Sequence, residues 1–188
     1  AFPYNAAILL RIKNIREYML CGGALVHSKI VLTAAHCLWN SESALVILGA
    51  HNLIANETGV ERRYLDQNNF KIHSEFNINN ANYDVALLVL KDMVLNSKFI
   101  QTVSLPSTFL FDENFSGEIA LVVGHGKFCA TCESSSILRF AQNRIMSRNE
   151  CMQYFPSKTF PTETQLCLAT LESGACRGDS GIFFFSFL

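Results

Sequence analysis

The sequence predicts an all-β protein, because short apolar segments alternate with polar turns along most of the chain. Strands separated by turns in this way favour an all-β domain over alternating strands and helices. The chain shows no internal repeat, and with 188 residues, 49% of them hydrophobic, it can bury a substantial core. All-β barrels of roughly 200 to 250 residues commonly form one structural unit.

The predicted elements follow in chain order. The first half contains six apolar segments that we predict as strands: residues 6–12, 21–26, 29–33, 44–48, 64–72 and 85–90. Residues 95–111 are predicted to connect the two halves. The second half contains three more predicted strands, over residues 118–123, 136–145 and 165–169. Between them, Ser147 and Glu150 fit a capping box that would begin a short helix towards Tyr154.

Composition and charge exclude some functions and favour a secreted protein. A net charge of -1 with 16% charged residues gives no basic surface for nucleic acid. No apolar run approaches the roughly 20 residues that a transmembrane helix needs. Seven cysteines and two glycosylation sequons, at Asn56 and Asn114, indicate an oxidising extracellular environment.

Three segments carry the residue types of a nucleophilic site. A Gly-Asp-Ser-Gly run at 178–181 places Ser180 in a tight turn, because glycine permits close backbone approach. A serine hydroxyl needs a base, and His36 stands in the run Leu-Thr-Ala-Ala-His-Cys at 32–37. Asp84, in the run Asn-Tyr-Asp-Val-Ala-Leu-Leu at 82–88, supplies a carboxylate. Each residue alone could be a packing histidine, a strand-end cap or a turn serine, whereas together they indicate nucleophilic catalysis.

In the order His, Asp, Ser, these segments resemble the three signature blocks of the chymotrypsin-like serine peptidases. Residues 1–4 and 20–25 resemble the same family, and residues 48–52 and 142–147 resemble its arthropod digestive, collagenase-type (brachyurin-like) branch. The resemblance implies two antiparallel six-stranded β-barrels, over 1–103 and 104–188, with the second barrel incomplete. It also implies a chain shortened at both ends, a processed product or a fragment.

The resemblance further implies the roles of the site residues. Ser180 would be the nucleophile, His36 the general base and acid, and Asp84 the residue that orients the imidazole. The main-chain N–H groups of Gly178 and Ser180 would form the oxyanion hole. The expected function is a secreted, monomeric serine endopeptidase that acts on polypeptides and is open to protein inhibitors. The alternatives are an inactive homologue that binds partners, or a fragment that does not fold independently.

Substrate specificity and activation depend on three further positions. Gly174, six residues before the serine, stands where trypsin-like members carry an aspartate, which predicts non-tryptic cleavage with an apolar or broad preference. Arg177 would lie at the mouth of the substrate pocket, although an exposed, solvated surface arginine is the favoured description. Asp179 would pair with a new amino-terminal ammonium after zymogen cleavage. The chain lacks the usual Ile-Val-Gly-Gly start, so we expect Asp179 without a partner and a disordered or zymogen-like loop.

The resemblance pairs Cys21 with Cys37 and Cys151 with Cys167. Cys129 and Cys132 have no counterpart in the family pattern, and one Cys-x-x-Cys pair alone is poor support for zinc. We therefore predict a local or structural disulfide there, with capture of Cys176 by one of the two as the alternative. The usual partner of Cys176 lies downstream in the family, beyond the end of this chain.

We expect neither a cofactor nor a metal ion. In the loop where some relatives bind calcium, Ala50 and Val60 replace the glutamates that open and close the site. The remaining Asn52 and Glu57 are too few for an ion that takes six to eight oxygen ligands. Finally, His125 replaces the tryptophan of the family's Gly-Trp-Gly and is expected to be a surface or packing histidine.

Overall fold

The computed structural model describes residues 2–107, 115–129, 131–154, 165–169 and 174–181, and the main chain of 185–186. These residues form two antiparallel β-sheets with two short α-helices. The predicted all-β class is therefore confirmed.

The first sheet contains seven strands in the order β5-β4-β1-β2-β3-β7-β6. Neighbouring strands all pair antiparallel, and the sheet curls around a core of aliphatic side chains that includes Ile8, Leu25 and Leu88. The strands are Asn5–Ile12 (β1), Tyr18–His27 (β2), Ile30–Thr33 (β3), Ser41–Leu48 (β4), Glu61–Asp66 (β5), Phe70–Ile72 (β6) and Ala86–Val89 (β7).

The fifth and sixth strands replace one predicted strand. A 3-10 helix, Gln67–Asn69, interrupts the segment that we predicted as continuous over 64–72. Asp66 caps this helix, because its side chain accepts a hydrogen bond from the Asn68 N–H at 2.9 Å. The Asn69 side chain in turn accepts from the Asp66 N–H at 3.3 Å. Short polar side chains satisfy the main chain locally, so the strand cannot continue through them.

The second sheet has four described strands in the order β10-β9-β8-β11. Strand β9 begins three residues later than predicted because the preceding residues pair with the first half of the chain: Ile137 forms a bridge with Asn52, and the Ser136 carbonyl accepts from the Leu53 N–H at 2.9 Å. The last short strand pairs with β8 and was not predicted. The four strands are Ile119–Gly124 (β8), Arg139–Ile145 (β9), Leu168–Ala169 (β10) and Phe185–Ser186 (β11). They form part of a barrel, as expected.

Two short helices complete the described structure, Ala35–Leu38 (α1) and Arg148–Tyr154 (α2). The predicted capping box is half present: the Ser147 hydroxyl accepts from the Glu150 N–H at 3.2 Å. The Glu150 carboxylate binds Arg144 instead, at 3.0 Å from one guanidinium nitrogen. Within the described ranges, no helix is long and apolar enough to span a bilayer.

Candidate active site

Strand pairing brings His36 and Asp84 together. His36 lies in α1, directly after β3, and Asp84 lies just before β7. Strands β3 and β7 are antiparallel neighbours with Thr33 opposite Ala86, so the end of one strand meets the start of the other. One Asp84 oxygen accepts from the His36 main-chain N–H at 2.8 Å, and the other lies 2.7 Å from His36 Nδ1.

This two-point contact fixes both the orientation and the tautomer of the imidazole. Burial raises the pKa of Asp84, but hydrogen bonds from the His36 side chain and main chain outweigh that effect, and the pKa lies below its ordinary value. Asp84 is therefore an ionised acceptor at neutral pH. Nδ1 of His36 must then donate, which leaves a lone pair on Nε2 that can accept a proton.

The Cys21–Cys37 disulfide connects this pair to the segment that carries Ser180. Cys37 Sγ lies 3.7 Å from His36 Nε2 and 3.6 Å from the Ser180 main-chain oxygen. The same oxygen accepts from the Gly22 N–H at 2.7 Å. The Ser180 hydroxyl and His36 Nε2, both described atoms, form no hydrogen bond here; such contacts often tighten only when substrate binds. The structure thus brings the three predicted residues to one site.

Thr33 is a supporting residue that the sequence analysis missed. Its buried hydroxyl donates to the Gly22 carbonyl at 2.7 Å and so holds β2 against the end of β3 beside Ser180. A threonine inside an apolar strand gives no local signal of this role. Only strand pairing shows it.

Two glycines shape the turn around Ser180. Gly178 has φ +98° and Gly181 has φ +85°, in the left-handed region that favours glycine. A Cβ at Gly181 would lie 2.5 Å from the Gly22 carbonyl oxygen and would also clash with Thr33 Oγ1. The turn can therefore approach β2 and β3 this closely only with glycine after the serine. Gly178 and Ser180, the predicted oxyanion-hole residues, are both half-buried.

Asp179 has hydrogen-bond partners, so the expectation of an unpartnered carboxylate was wrong. Its two oxygens accept from the main-chain N–H groups of Gly126, at 2.7 Å, and Cys176, at 3.0 Å. Burial nevertheless raises the pKa of Asp179 above its ordinary value against those two bonds. Among the described residues, no cationic side chain pairs with it.

The two predicted specificity positions lie at the start of the same segment. Gly174 is half-buried, whereas Arg177 is exposed. The main-chain oxygen of Arg177 accepts from the Lys127 N–H at 2.8 Å. The simpler description of Arg177 as a solvated surface arginine fits this position.

All three disulfides among the described residues match predicted pairings. Cys21 is joined to Cys37, and Cys151 to Cys167. The Cys-x-x-Cys pair closes on itself as a local disulfide between Cys129 and Cys132. The alternative, in which one of that pair captures Cys176, was wrong: Cys176 is free and exposed.

The loop over 50–60 is closed by its own carboxylate. Glu57 accepts hydrogen bonds from the main-chain N–H groups of His51 and Asn52, at 2.7 and 3.0 Å. The Asn52 side chain accepts from the Ile54 N–H at 3.1 Å. Both oxygen-bearing side chains considered for calcium therefore bind main-chain groups of the loop. Of the two sequons, Asn56 is exposed on this loop, while Asn114 lies outside the described residues.

Among the described residues, one group of potential metal ligands lies close together: Cys21, His36 and Cys37, with ligand atoms within 4.8 Å of one another. Both sulfurs belong to a disulfide, so neither is a thiolate that could bind a metal ion.

Comparison with known proteins identifies the class that this fold and site define. The family model for trypsin matches residues 1–181, and the chain belongs to this family of chymotrypsin-like serine peptidases. It is 34% identical over 161 residues to a chymotrypsin of Phaedon cochleariae, a match that covers 86% of this chain and 57% of the relative. It is 30% identical over 189 residues to the venom serine protease Bi-VSP of Bombus ignitus, covering 96% of this chain and 52% of the relative.

The fold is similar to that of a solved collagenase, HL collagenase, with a TM-score of 0.84 and 29% sequence identity. That match covers 97% of this chain and 75% of the collagenase. The chain thus spans about half the length of the curated relatives that it matches.

Proposed function

We propose that this protein is a serine endopeptidase in which Ser180, His36 and Asp84 form the catalytic triad. The observation that carries the proposal is the two-point contact of Asp84 with His36, at 2.8 and 2.7 Å. This contact fixes Nδ1 as a donor and leaves Nε2 as the base. A histidine that only filled space in the core would not need an ionised acceptor aligned with both its ring and its main chain.

The reaction would proceed through an acyl-enzyme, as in the family's well-studied triad. The Ser180 oxygen attacks the carbonyl carbon of a peptide bond while its proton passes to His36 Nε2. The N–H groups of Gly178 and Ser180 bind the oxyanion that forms. When this intermediate collapses, the C–N bond breaks and the leaving amine takes the proton from Nε2. A water molecule, deprotonated in the same way, then cleaves the ester and frees Ser180.

Substrate class and location are part of the proposal. A glycine at 174 places no carboxylate where a lysine or arginine side chain would need one, which favours substrates with apolar residues before the cleaved bond. Three disulfides among the described residues support folding and action outside the cell. Polypeptides are the proposed substrates, protein inhibitors the proposed regulators, and a monomer the proposed form.

Asp179 is proposed to be the activation switch. Its carboxylate is buried, its pKa is raised by burial, and its two described partners are main-chain donors without a full positive charge. A buried carboxylate in that state is stabilised when an ammonium group binds beside it. Because Asp179 immediately precedes Ser180, such a pairing would stabilise the turn that carries the nucleophile and its oxyanion donors.

A second candidate function is a non-catalytic homologue that binds protein partners. It is favoured by the absence of a hydrogen bond between the Ser180 hydroxyl and His36 Nε2, both in the described part of the chain. The intact residue set argues against it, since a binding protein would not need an ionised aspartate behind the histidine.

Labelling with a fluorophosphonate probe separates the two candidates. The secreted, purified chain is treated with the probe and mapped by peptide mass spectrometry, with Ser180→Ala as the control. We expect labelling at Ser180 that disappears in the control. Peptidyl phosphonates that carry phenylalanine or lysine next to phosphorus then test specificity, and the phenylalanine probe should react faster. A chain shown to be folded by circular dichroism that remains unlabelled would support the binding homologue instead.

A further inference from the structure

His125 is a buried titratable residue that the proposed triad does not use. It directly follows β8, and only 3% of its surface is exposed. Its Nδ1 lies 3.2 Å from the Ser135 carbonyl oxygen, so Nδ1 must carry the proton and donate it. Nε2 is also buried and has no hydrogen-bond partner among the described residues. A second proton at Nε2 would therefore create a buried charge with an unsatisfied donor.

The surroundings of His125 oppose its protonation. Burial lowers the pKa of this imidazole below its ordinary value of 6.5, and hydrogen bonds to the Ser135 and Ser136 main chain only partly offset the effect. Among the described residues, the charged groups that act on the ring are His51 and Glu57, on the loop of the first sheet. Arg139 binds the Ser135 hydroxyl, and Asp179 binds the N–H of the next residue, Gly126. His51 disfavours the cation and Glu57 favours it. The ring is therefore neutral at neutral pH.

His125 holds Ser135 at two points. The Ser135 carbonyl accepts from the His125 ring, while the Ser135 N–H donates to the carbonyls of His125, at 2.9 Å, and Gly126, at 3.2 Å. Ring and main chain of one residue thus close the hairpin over 125–135. A change in the ring position would act directly on Gly126.

Gly126 in turn supports the segment that contains the nucleophile. Its N–H donates to Asp179 at 2.7 Å, and the next residue, Lys127, donates its N–H to the Arg177 carbonyl at 2.8 Å. A Cβ at Gly126 would collide with the Asp179 carboxylate, so the two are in close contact. The strand end that carries His125 therefore packs directly against the turn around Ser180.

The segment that directly follows this hairpin contacts the loop of the first sheet. The Leu53 N–H donates to the Ser136 carbonyl at 2.9 Å, and the Leu138 N–H donates to the His51 carbonyl at 2.8 Å. His125 thus stands between the loop of the first sheet and the turn around Ser180.

We propose that His125 is a positioning residue for the turn that carries Gly178, Asp179 and Ser180, and that it acts only as the neutral imidazole. Protonation at Nε2 would expel the ring from its buried site, release Ser135 and move Gly126 away from Asp179. The peptidase would then lose activity on the acid side through two separate protonations, one at His36 and one at His125. This inference rests on the proposed catalytic role of Ser180.

The free energy of unfolding is linked to the protonation of His125. Because burial disfavours the cation, the unfolded chain binds a proton at His125 at a higher pH than the folded chain does. Between those two pKa values the unfolded state carries more protons, so stability falls as the pH falls below 6.5. A residue that cannot titrate at this position removes that loss.

The first test is an NMR titration of the unmodified chain, labelled with nitrogen-15, which requires no peptidase activity. We expect the His125 ring to show the Nδ1-protonated tautomer and to titrate below 6.5. The Gly126 amide shift should follow the same curve. The proposal would be overturned if His125 titrates at or above 6.5, or if it does not titrate while the chain stays folded. It would also be overturned if the Gly126 amide shift does not change with the titration of His125.

The second test is the pH dependence of Ser180 labelling by the fluorophosphonate. On the acid side, a requirement for two deprotonations makes the rate fall about 100-fold per pH unit, whereas a requirement for one makes it fall about tenfold. We expect the steeper fall for the unmodified chain and for the control His51→Gln, and the shallower fall for His125→Trp, or for His125→Phe if the tryptophan variant does not fold. Equal slopes for all three would overturn the proposal. A chain that never labels at any pH contradicts the proposed function, while the NMR titration still decides the role of His125.

Discussion

Gly181→Ala tests whether the close approach of the Ser180 turn to β2 and β3 positions the nucleophile. The new Cβ would lie 2.5 Å from the Gly22 carbonyl oxygen and 2.9 Å from the Ala34 nitrogen. Both obstacles are main-chain atoms of buried residues and cannot rotate away. An ordinary carbon contact begins near 3.4 Å, so the turn must shift by about 0.9 Å, which can cost about 100-fold in rate at a catalytic group.

The stability cost has two parts. A residue with a Cβ in the left-handed region costs about 1–2 kcal/mol, and overpacking a filled site costs about 1–3 kcal/mol more. The alanine also reduces the conformational freedom of the unfolded chain, which offsets about 0.4–1 kcal/mol of this loss in stability. The net loss is about 3 kcal/mol, or a fall of about 10 °C in melting temperature for a chain of this size.

Gly117→Ala is the matched control. Gly117 has φ +91°, close to the +85° of Gly181, but no atom of the described residues lies within 4 Å of where its Cβ would be. It should lose only about 1 kcal/mol and label at the unmodified rate. Calorimetry and the labelling rate provide both readouts. If Gly181→Ala melts and labels like Gly117→Ala, the close approach does not position Ser180.

Two further predictions follow from the carboxylate and the disulfides. Asp84→Asn should lower the labelling rate by about 10⁴-fold, the loss known for this change in the family's triad, because an amide cannot hold the histidine tautomer. Since the folded pKa of Asp84 is lowered, its stabilisation is present above pH 3.8 and is lost as the pH falls through the folded value. If the melting temperature of the Asp84→Asn variant falls with pH below 3.8 as steeply as that of the unmodified chain, this explanation is contradicted. Serine replacement of Cys129 and Cys132, which are three residues apart, should cost about 2 kcal/mol in chemical denaturation, against about 3 kcal/mol for Cys151 and Cys167, sixteen apart. Equal losses would show that loop length does not set these contributions.

The strands and the residues of the proposed triad could largely be predicted from local sequence. Continuous runs of apolar residues mark β1 and β4 whatever their neighbours are, and the runs around His36 and Ser180 are specific in both order and composition. Strand ends were less predictable, because they depend on pairing. Strand β9 starts at Arg139 only because residues 136–138 contact the loop of the first sheet.

The partners of Asp179 could not be predicted for the same reason. Main-chain N–H groups of glycine and cysteine carry no signature in the sequence, so the sequence indicated no partner for this carboxylate. The structure supplies two neutral donors, one of them 53 residues away along the chain. Likewise, the unusual residue at 125 was visible in the sequence, but its burial and its unpartnered Nε2 were not.

The sequence by itself determined the all-β class, the family and the three residues that we propose as the triad, because each depends on local composition or on a short specific run. It left the pairing of Cys129, Cys132 and Cys176 open, and the structure shows that pairing. Tertiary structure alone decided how Asp84 holds His36, how β2 and β3 support the turn around Ser180, and what lies against Asp179 and His125. Those contacts join residues far apart in the chain through main-chain groups that every residue shares. Since main-chain groups are the same whatever the side chain, residue type does not predict these contacts, and only the folded structure shows which groups bind each other.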